Sequence, residues 1–242
     1  MTPMLVAGRK QDYGGIACAQ RAQPSINSMQ NRGVRSERDL IAALGTPLLA
    51  ARRIQPEAVR ALARQLLEHW FTPGRALLPV IGMRAGAGRS ALSAALATEL
   101  AAGGARTLLI DADFRSPSQH RRFALGADGG FADFLEGQGM RLAACRHNLA
   151  VLAAGRVRED PLELLSRAPL QSFVRAAARQ FDAVLVDTPA AERGPDLEMF
   201  AALAGGALLV VRPGEDAARL VRLRSRLARL RARVVATVFS PP

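Results

Sequence analysis

Six short apolar runs punctuate this chain: ALLPVIG (76–82), RTLLID (106–111), LAVLAAG (149–155), FDAVLVD (181–187), GALLVVR (206–212) and ARVVATVF (232–239). Each has the length of a strand and none alternates with polar residues, the pattern of strands covered on both faces. Helical periodicity fills most of the gaps. RSALSAALATELAAGG joins the first two runs, PLELLSRAPLQSFVRAAARQ the third and fourth, and DLEMFAALAG and EDAARLVRLRSRLARLRA the last three. Strands alternating with helices predict an α/β fold: a doubly wound, mostly parallel sheet with helices on both faces.

Upstream the pattern is weaker. Residues 1 to 36 mix Gly, Gln, Ser and Arg without a sustained period and predict a flexible N-terminal arm. Ser36 is placed to cap a short helix over ERDLIAALG, with Gly45 as its stop. In QPEAVRALARQLLEHWF, Pro56 opens an amphipathic helix whose stripe is Val59, Leu62, Leu66 and Trp70. The expected division is an arm over residues 1–52, largely irregular with one short helix, and the α/β domain over 53–242. No solenoid-length repeat is present.

Composition adds constraints. The net charge is +12 and Lys10 is the one lysine among 33 basic residues, so an arginine at a position that usually holds lysine fits a bias of the whole chain. Excess positive charge favours acidic partners. Two cysteines, Cys18 and Cys145, cannot make a disulfide framework and suggest a reducing compartment. The longest apolar run, Met199 to Val211, falls short of the ~18 residues that span a bilayer, and no signal-peptide pattern opens the chain. A cytoplasmic location is expected, peripheral at the inner membrane only through a partner. His69, His120 and His147 lack metal-ligand spacing. Arginines 219, 222, 226, 229 and 233 fall at helical steps beside Leu220, Leu223, Leu227 and Leu230, which reads as a solvated face on a sheet-packing helix.

Candidate chemistry sits at the carboxyl ends of the strands, where open α/β sheets bind ligands. After the first run comes IGMRAGAGRS (81–90). Set on G-x-x-x-x-G-K-[ST], Gly88 and Ser90 match, Met83 stands at the first glycine and Arg89 replaces lysine. Gly86, Ala87, Gly88, Arg89 and Ser90 are the candidate nucleotide-phosphate residues, with the Ser90 hydroxyl placed for Mg²⁺. The next run ends LLIDADFRSP, with Asp111 and Asp113 expected on one side of an extended strand and Arg115 within reach of phosphate. FDAVLVDTPA ends at Asp187, the pattern of a magnesium carboxylate. Three such elements in this order are far more specific than any one.

Over roughly residues 55–240 these features resemble the bacterial tyrosine kinases, most closely the EpsG-type group associated with polysaccharide chain-length determinants. GAGRS is similar to that family's phosphate loop and LLIDADFRSP to its second acidic motif. GFADFLEG, LAVLAAG and DPLELL follow in family order, and FDAVLVDTPA is similar to the third acidic motif. The resemblance implies a kinase using ATP and Mg²⁺ that phosphorylates protein tyrosines in capsule or exopolysaccharide export, activated by a membrane-embedded chain-length regulator. Carried over, Arg89 and Ser90 contact phosphate and metal, Asp111 activates the tyrosine hydroxyl, and Asp113 and Asp187 position the metal. The sequence departs from the family at three places. Arg89 stands for lysine; the one tyrosine is Tyr13, so no tyrosine-rich tail is expected; and of E-x-x-R-x-x-R only Glu57 and Arg60 are kept, with Ala63 at the last place, leaving a homo-oligomer open. Two alternatives stand beside the kinase. One is a ParA/MinD-like ATPase switch, with Arg84 and Arg89 laid on the two lysines of its loop. The other is a non-catalytic nucleotide-sensing scaffold of the polysaccharide machinery. Nucleic acid is not an expected partner.

Overall fold

The computed structural model describes residues 33–44, 48–49 and 55–239. In chain order the elements are β1 (Gly33–Val34), α1 (Glu37–Leu44), β2 (Leu48–Leu49), α2 (Pro56–His69), β3 (Leu77–Gly82), α3 (Arg89–Ala102), β4 (Thr107–Asp111), α4 (Gln119–Arg122) and α5 (Phe131–Leu135). They continue with β5 (Ala143–Arg146), β6 (Leu149–Leu152), α6 (Pro161–Leu165), α7 (Ala168–Gln180), β7 (Ala183–Asp187), α8 (Asp196–Ala204), β8 (Gly206–Val211), β9 (Glu215–Asp216), α9 (Ala217–Arg229) and β10 (Arg233–Phe239). All six apolar runs are strands. With β2 and β5 they form one eight-stranded sheet in the order β2-β10-β8-β3-β7-β4-β6-β5, parallel except for the antiparallel edge pair β5–β6.

The doubly wound α/β expectation holds. From β3 the chain winds outward through β4 to β6, returns to place β7 beside β3, then crosses to β8 on the other side. That reversal puts the carboxyl ends of β3, β4 and β7 side by side. Apolar side chains fill both faces: Leu92, Leu96 and Leu100 of α3 with the α2 stripe on one, Phe131, Phe173 and Phe200 on the other. Each fully buried side chain of this size contributes ~1.5–3 kcal/mol.

Local signals explain several boundaries. Ser36 caps α1: its Oγ accepts from Asp39 N–H at 3.3 Å, and Asp39 Oδ2 accepts from Ser36 N–H at 2.9 Å, a reciprocal capping box. Val34 and Leu44 are buried among Leu220, Leu223 and Val211, so 33–44 packs against α9 and the sheet. The expected stop at Gly45, together with Tyr13 and Cys18, lies outside the described residues. Val59, Leu62 and Leu66 of α2 are buried as their spacing predicts, and Trp70 follows them at the end of the helix. Its Nε1–H donates to Leu77 O at 3.1 Å, and its ring lies 4.8 Å from the Arg75 guanidinium and 5.7 Å from that of Arg233. Gly206 admits the ring, since a Cβ there would fall 2.6 Å from Trp70 Cη2.

The structure departs from the pattern in three places. The helical pattern over 161–180 is divided into two helices, α6 and α7, separated at Ser166–Arg167 just before Pro169. The edge strand β5 was not expected; it turns into β6 through Asn148, whose φ of 59° suits asparagine. Leu230 leaves the α9 stripe, because the helix stops at Arg229 and Leu230 is 39% exposed. Arg219, Arg222, Arg226 and Arg229 do face solvent, as a solvated helix face requires.

Candidate functional site

The loop from β3 to α3 is shaped by Gly86 and Gly88, at φ 72° and 90°, a region that residues with a Cβ rarely adopt. Gly88 is the residue before α3, and no side chain caps that helix, leaving its first-turn N–H groups for an anion. Ala85 N–H donates to Glu192 Oε1 at 2.8 Å, and Gly86 O accepts from Arg212 Nη1 at 3.0 Å. A cavity of about 330 Å³ lies against this loop. One wall is residues 85–91; the other is Asp113, Ser116, Ser118, Arg122 and Arg193.

Arg89 is only 5% exposed. Its Nε donates to Thr188 O at 3.0 Å, its Nη1 to Arg84 O at 2.7 Å, and its Nη2 lies 3.6 Å from Asp113 Oδ2. Burial lowers its pKa, while the charges of Asp187 and Asp113 oppose that shift. One planar, forked head therefore ties the loop to the end of β7 and to the turn after β4. A lysine ammonium, a single point donor on a flexible stem, could not span the same three partners in that geometry.

Asp111 and Asp187 are direct cross-strand partners of β4 and β7, and both are fully buried. Asp111 Oδ2 accepts from the backbone N–H of Ser118 at 2.9 Å and of Gln119 at 2.8 Å, and Oδ1 from Asp113 N–H at 3.2 Å. Burial outweighs these bonds and raises its pKa to about 6. Burial, then the charge of Asp111, raises Asp187 to about 7, against hydrogen bonds from Gln119 and Ser90. Gln119 connects the group: its Nε2 donates to Asp187 Oδ2 at 2.8 Å and to Ser90 O at 3.0 Å. Asp187 Oδ1 and Gln119 Oε1 are buried acceptors without a donor.

The predicted residues thus divide. Arg89, Ser90, Asp111, Asp113 and Asp187 come together around the α3 N-terminus, with Gly86, Ala87 and Gly88 forming the loop. Asp113 is not on an extended strand beside Asp111, because β4 ends at Asp111 and the chain turns. Asp113 Oδ1 accepts from Ser116 N–H at 3.0 Å while Oδ2 faces Arg89. Arg115 does not line the cavity. Its Nη2 lies 3.4 Å from the carboxylate of Asp196, the first residue of α8. Gln119, Glu192, Arg193 and Arg122 were not anticipated. Only Thr188, in the D-T-P that follows β7, carried a sequence signal; Gln119 sits in an ordinary polar QHRR.

Among the described residues no three His, Cys, Asp or Glu side chains converge on one point, so an all-protein metal cage is not built. The two orphaned acceptors beside Ser90 fit a hydrated Mg²⁺, which takes one or two protein oxygens and completes its shell with phosphate and water.

The family model of the ATPase MipZ matches residues 79–217, from within β3 to the start of α9. The chain belongs to the MipZ ATPase family. That match includes the loop, both strand-end aspartates and the β7–α8 connection. Membership makes the chain a P-loop protein of the ATPase and kinase class. Its relatives include tyrosine kinases. It is 36% identical over 172 residues to the putative tyrosine-protein kinase EpsB of Ralstonia solanacearum, covering 68% of this chain and 23% of EpsB. It is 37% identical over 142 residues to the succinoglycan biosynthesis transport protein ExoP of Rhizobium meliloti, covering 56% of this chain and 18% of ExoP. The chain thus spans about a quarter or less of the curated relatives it matches. The kinase domain of Escherichia coli tyrosine kinase ETK superposes with a TM-score of 0.70 at 27% identity, over 77% of this chain and 75% of that domain. Among the described residues no helix is long and apolar enough to cross a membrane.

Proposed function

We propose that the chain is an ATP- and Mg²⁺-dependent protein tyrosine kinase of exopolysaccharide or capsule export, activated by a membrane-embedded chain-length regulator. The observation that carries this reading is the buried Asp111–Asp187 pair behind the phosphate cavity, one carboxyl near pKa 6 and the other near 7. A general base works best with a pKa near the working pH. Residues 86–90 bind the nucleotide phosphates through loop and helix N–H groups. The Ser90 hydroxyl and Asp187 would hold Mg²⁺, which when bound would supply charge neutralisation on the phosphates. Asp111 accepts the proton of the incoming tyrosine hydroxyl. Asp113, paired with Arg89, holds the loop and closes the metal side of the site. Arg115 positions the end of α8 through Asp196 and does not touch phosphate.

The test is to incubate the purified chain with Mg-ATP and a co-expressed membrane regulator and to measure phosphotyrosine. Transfer that Asp111→Asn removes supports the kinase. A second reading, a ParA/MinD-like ATPase switch, is favoured by the MipZ family match. It is the better account if ATP is hydrolysed without phosphotyrosine and the rate rises with DNA or lipid. Nucleotide binding with neither outcome assigns the chain to a scaffold.

A further inference from the structure

Two arginines at the rim of the phosphate cavity have no part in the reading above. Arg193, in the β7–α8 connection, donates from Nη1 to Ser116 Oγ at 2.5 Å. Arg122 ends α4 on the same wall. Neither forms an ion pair among the described residues. The other charged side chains of the cavity are Arg89 and Asp113, which face each other at 3.6 Å. The wall opposite the loop therefore carries two positive charges that no side chain among the described residues neutralises. Arg193 is also near enough to Arg89 to oppose its ionisation. The residue before it, Glu192, accepts from Ala85 N–H, so one short connection reaches both the loop and the far rim.

We propose that Arg193, assisted by Arg122, binds the terminal phosphoryl group of a nucleoside triphosphate from the side opposite the loop, and so makes the site selective for triphosphate over diphosphate. The inference rests on the nucleotide-binding reading above. The loop and the uncapped α3 N-terminus account for two phosphates on one wall. A third phosphate extends toward the other wall, where a guanidinium held by a serine hydroxyl can turn to meet it with a charge-assisted, bidentate contact. In many phosphoryl-transfer proteins a partner supplies such an arginine; here the chain carries its own.

The experiment is equilibrium binding of Mg-ADP and of a non-hydrolysable Mg-ATP analogue to the full chain and four variants. These are Arg193→Ala, Arg122→Ala, Arg193→Lys and, as a control on an exposed face of α7, Arg179→Ala. Arg193→Ala is expected to lose about ten- to a hundredfold in affinity for the triphosphate, the range for a hydrogen bond to a charged group, while its affinity for Mg-ADP stays put. Arg122→Ala loses less, Arg193→Lys recovers part, and Arg179→Ala matches the parent. Melting temperature measured alongside checks that Arg193→Ala is folded. If the parent binds both nucleotides and Arg193→Ala keeps the same ratio, or loses both equally, the proposal is wrong and the nucleotide reading survives. If the parent binds neither nucleotide, both fall together.

Discussion

Asp182 and Asp187 bracket strand β7 and have opposite surroundings. At the amino edge Asp182 is half-exposed and grips Arg106 with both oxygens, at 2.7 and 3.1 Å, while also accepting from Arg106 N–H at 2.9 Å. The hydrogen bond from Arg106 holds its carboxyl below the usual range. At the carboxyl edge Asp187 is buried beside a second carboxylate, keeps one oxygen without a donor and titrates near 7. The rest of each edge follows suit. Trp70 finds a carbonyl for its N–H and two guanidinium groups for its faces. The opposite edge gathers glycine-shaped backbone, an uncapped helix and orphaned acceptors. One edge of the sheet satisfies its polar groups internally and stabilises the fold. The other leaves them unsatisfied, a demand that a ligand relieves.

Breaking each edge should therefore register in a different measurement. Asp111→Asn is expected to lower phosphate transfer by about 10²–10⁴-fold, the range for a general base, in a chain that a melting curve shows is still folded at the assay temperature. A variant that keeps its phosphotyrosine signal would remove Asp111 from the chemistry. Trp70→Ala is expected to cost ~3–5 kcal/mol of stability by denaturant titration, with nucleotide affinity measured in the cold unchanged. A change in that affinity would show that the two edges are coupled.

Asp187→Asn should move stability in the other direction. Because the folded carboxyl titrates near 7 and its ordinary value is 3.8, the folded chain holds a proton that the unfolded chain releases. Its contribution is full below about pH 4 and is lost as pH rises through about 7. The ligand-free parent should weaken across that window, and Asp187→Asn should flatten the curve and add ~1–3 kcal/mol at pH 8. Mg²⁺ binding by the parent is expected to have the opposite slope and to strengthen as the same carboxyl ionises. Calorimetric melts from pH 4 to 8, with and without Mg²⁺, read both slopes; parallel parent and variant curves would contradict the assignment. The smallest effect belongs to Arg106→Ala. An exposed pair is weak and screened by salt, so its melting shift should be below that of Asp187→Asn and should vanish near 1 M salt.

How legible each part was depends on the range of the forces involved. Runs such as GALLVVR and FDAVLVD declare buried parallel strands because continuous apolarity over strand length has few other solutions. The 3- and 4-residue steps of Val59, Leu62 and Leu66 likewise declare a buried helix face. Loop and acidic strand ends were visible because a strand–glycine–helix turn and a carboxylate after an apolar run are local patterns. The α6–α7 break was partly legible in Pro169, whereas β5 was not, since AACR has no apolar period and is a strand only because β6 offers it an edge.

By itself the sequence determined the alternation of strands and helices, the loop that turns on Gly86 and Gly88, and the presence of aspartates at 111, 113 and 187. Tertiary structure alone decided what those side chains meet. It set Asp111 opposite Asp187, turned Asp113 toward Arg89, sent Arg115 to Asp196, and brought Gln119, Glu192 and Arg193 to the site. The physical reason is distance along the chain. Backbone preference and hydrophobic period act within a few residues, whereas a carboxyl's pKa and partners depend on neighbours that arrive from other strands once the sheet has closed around them.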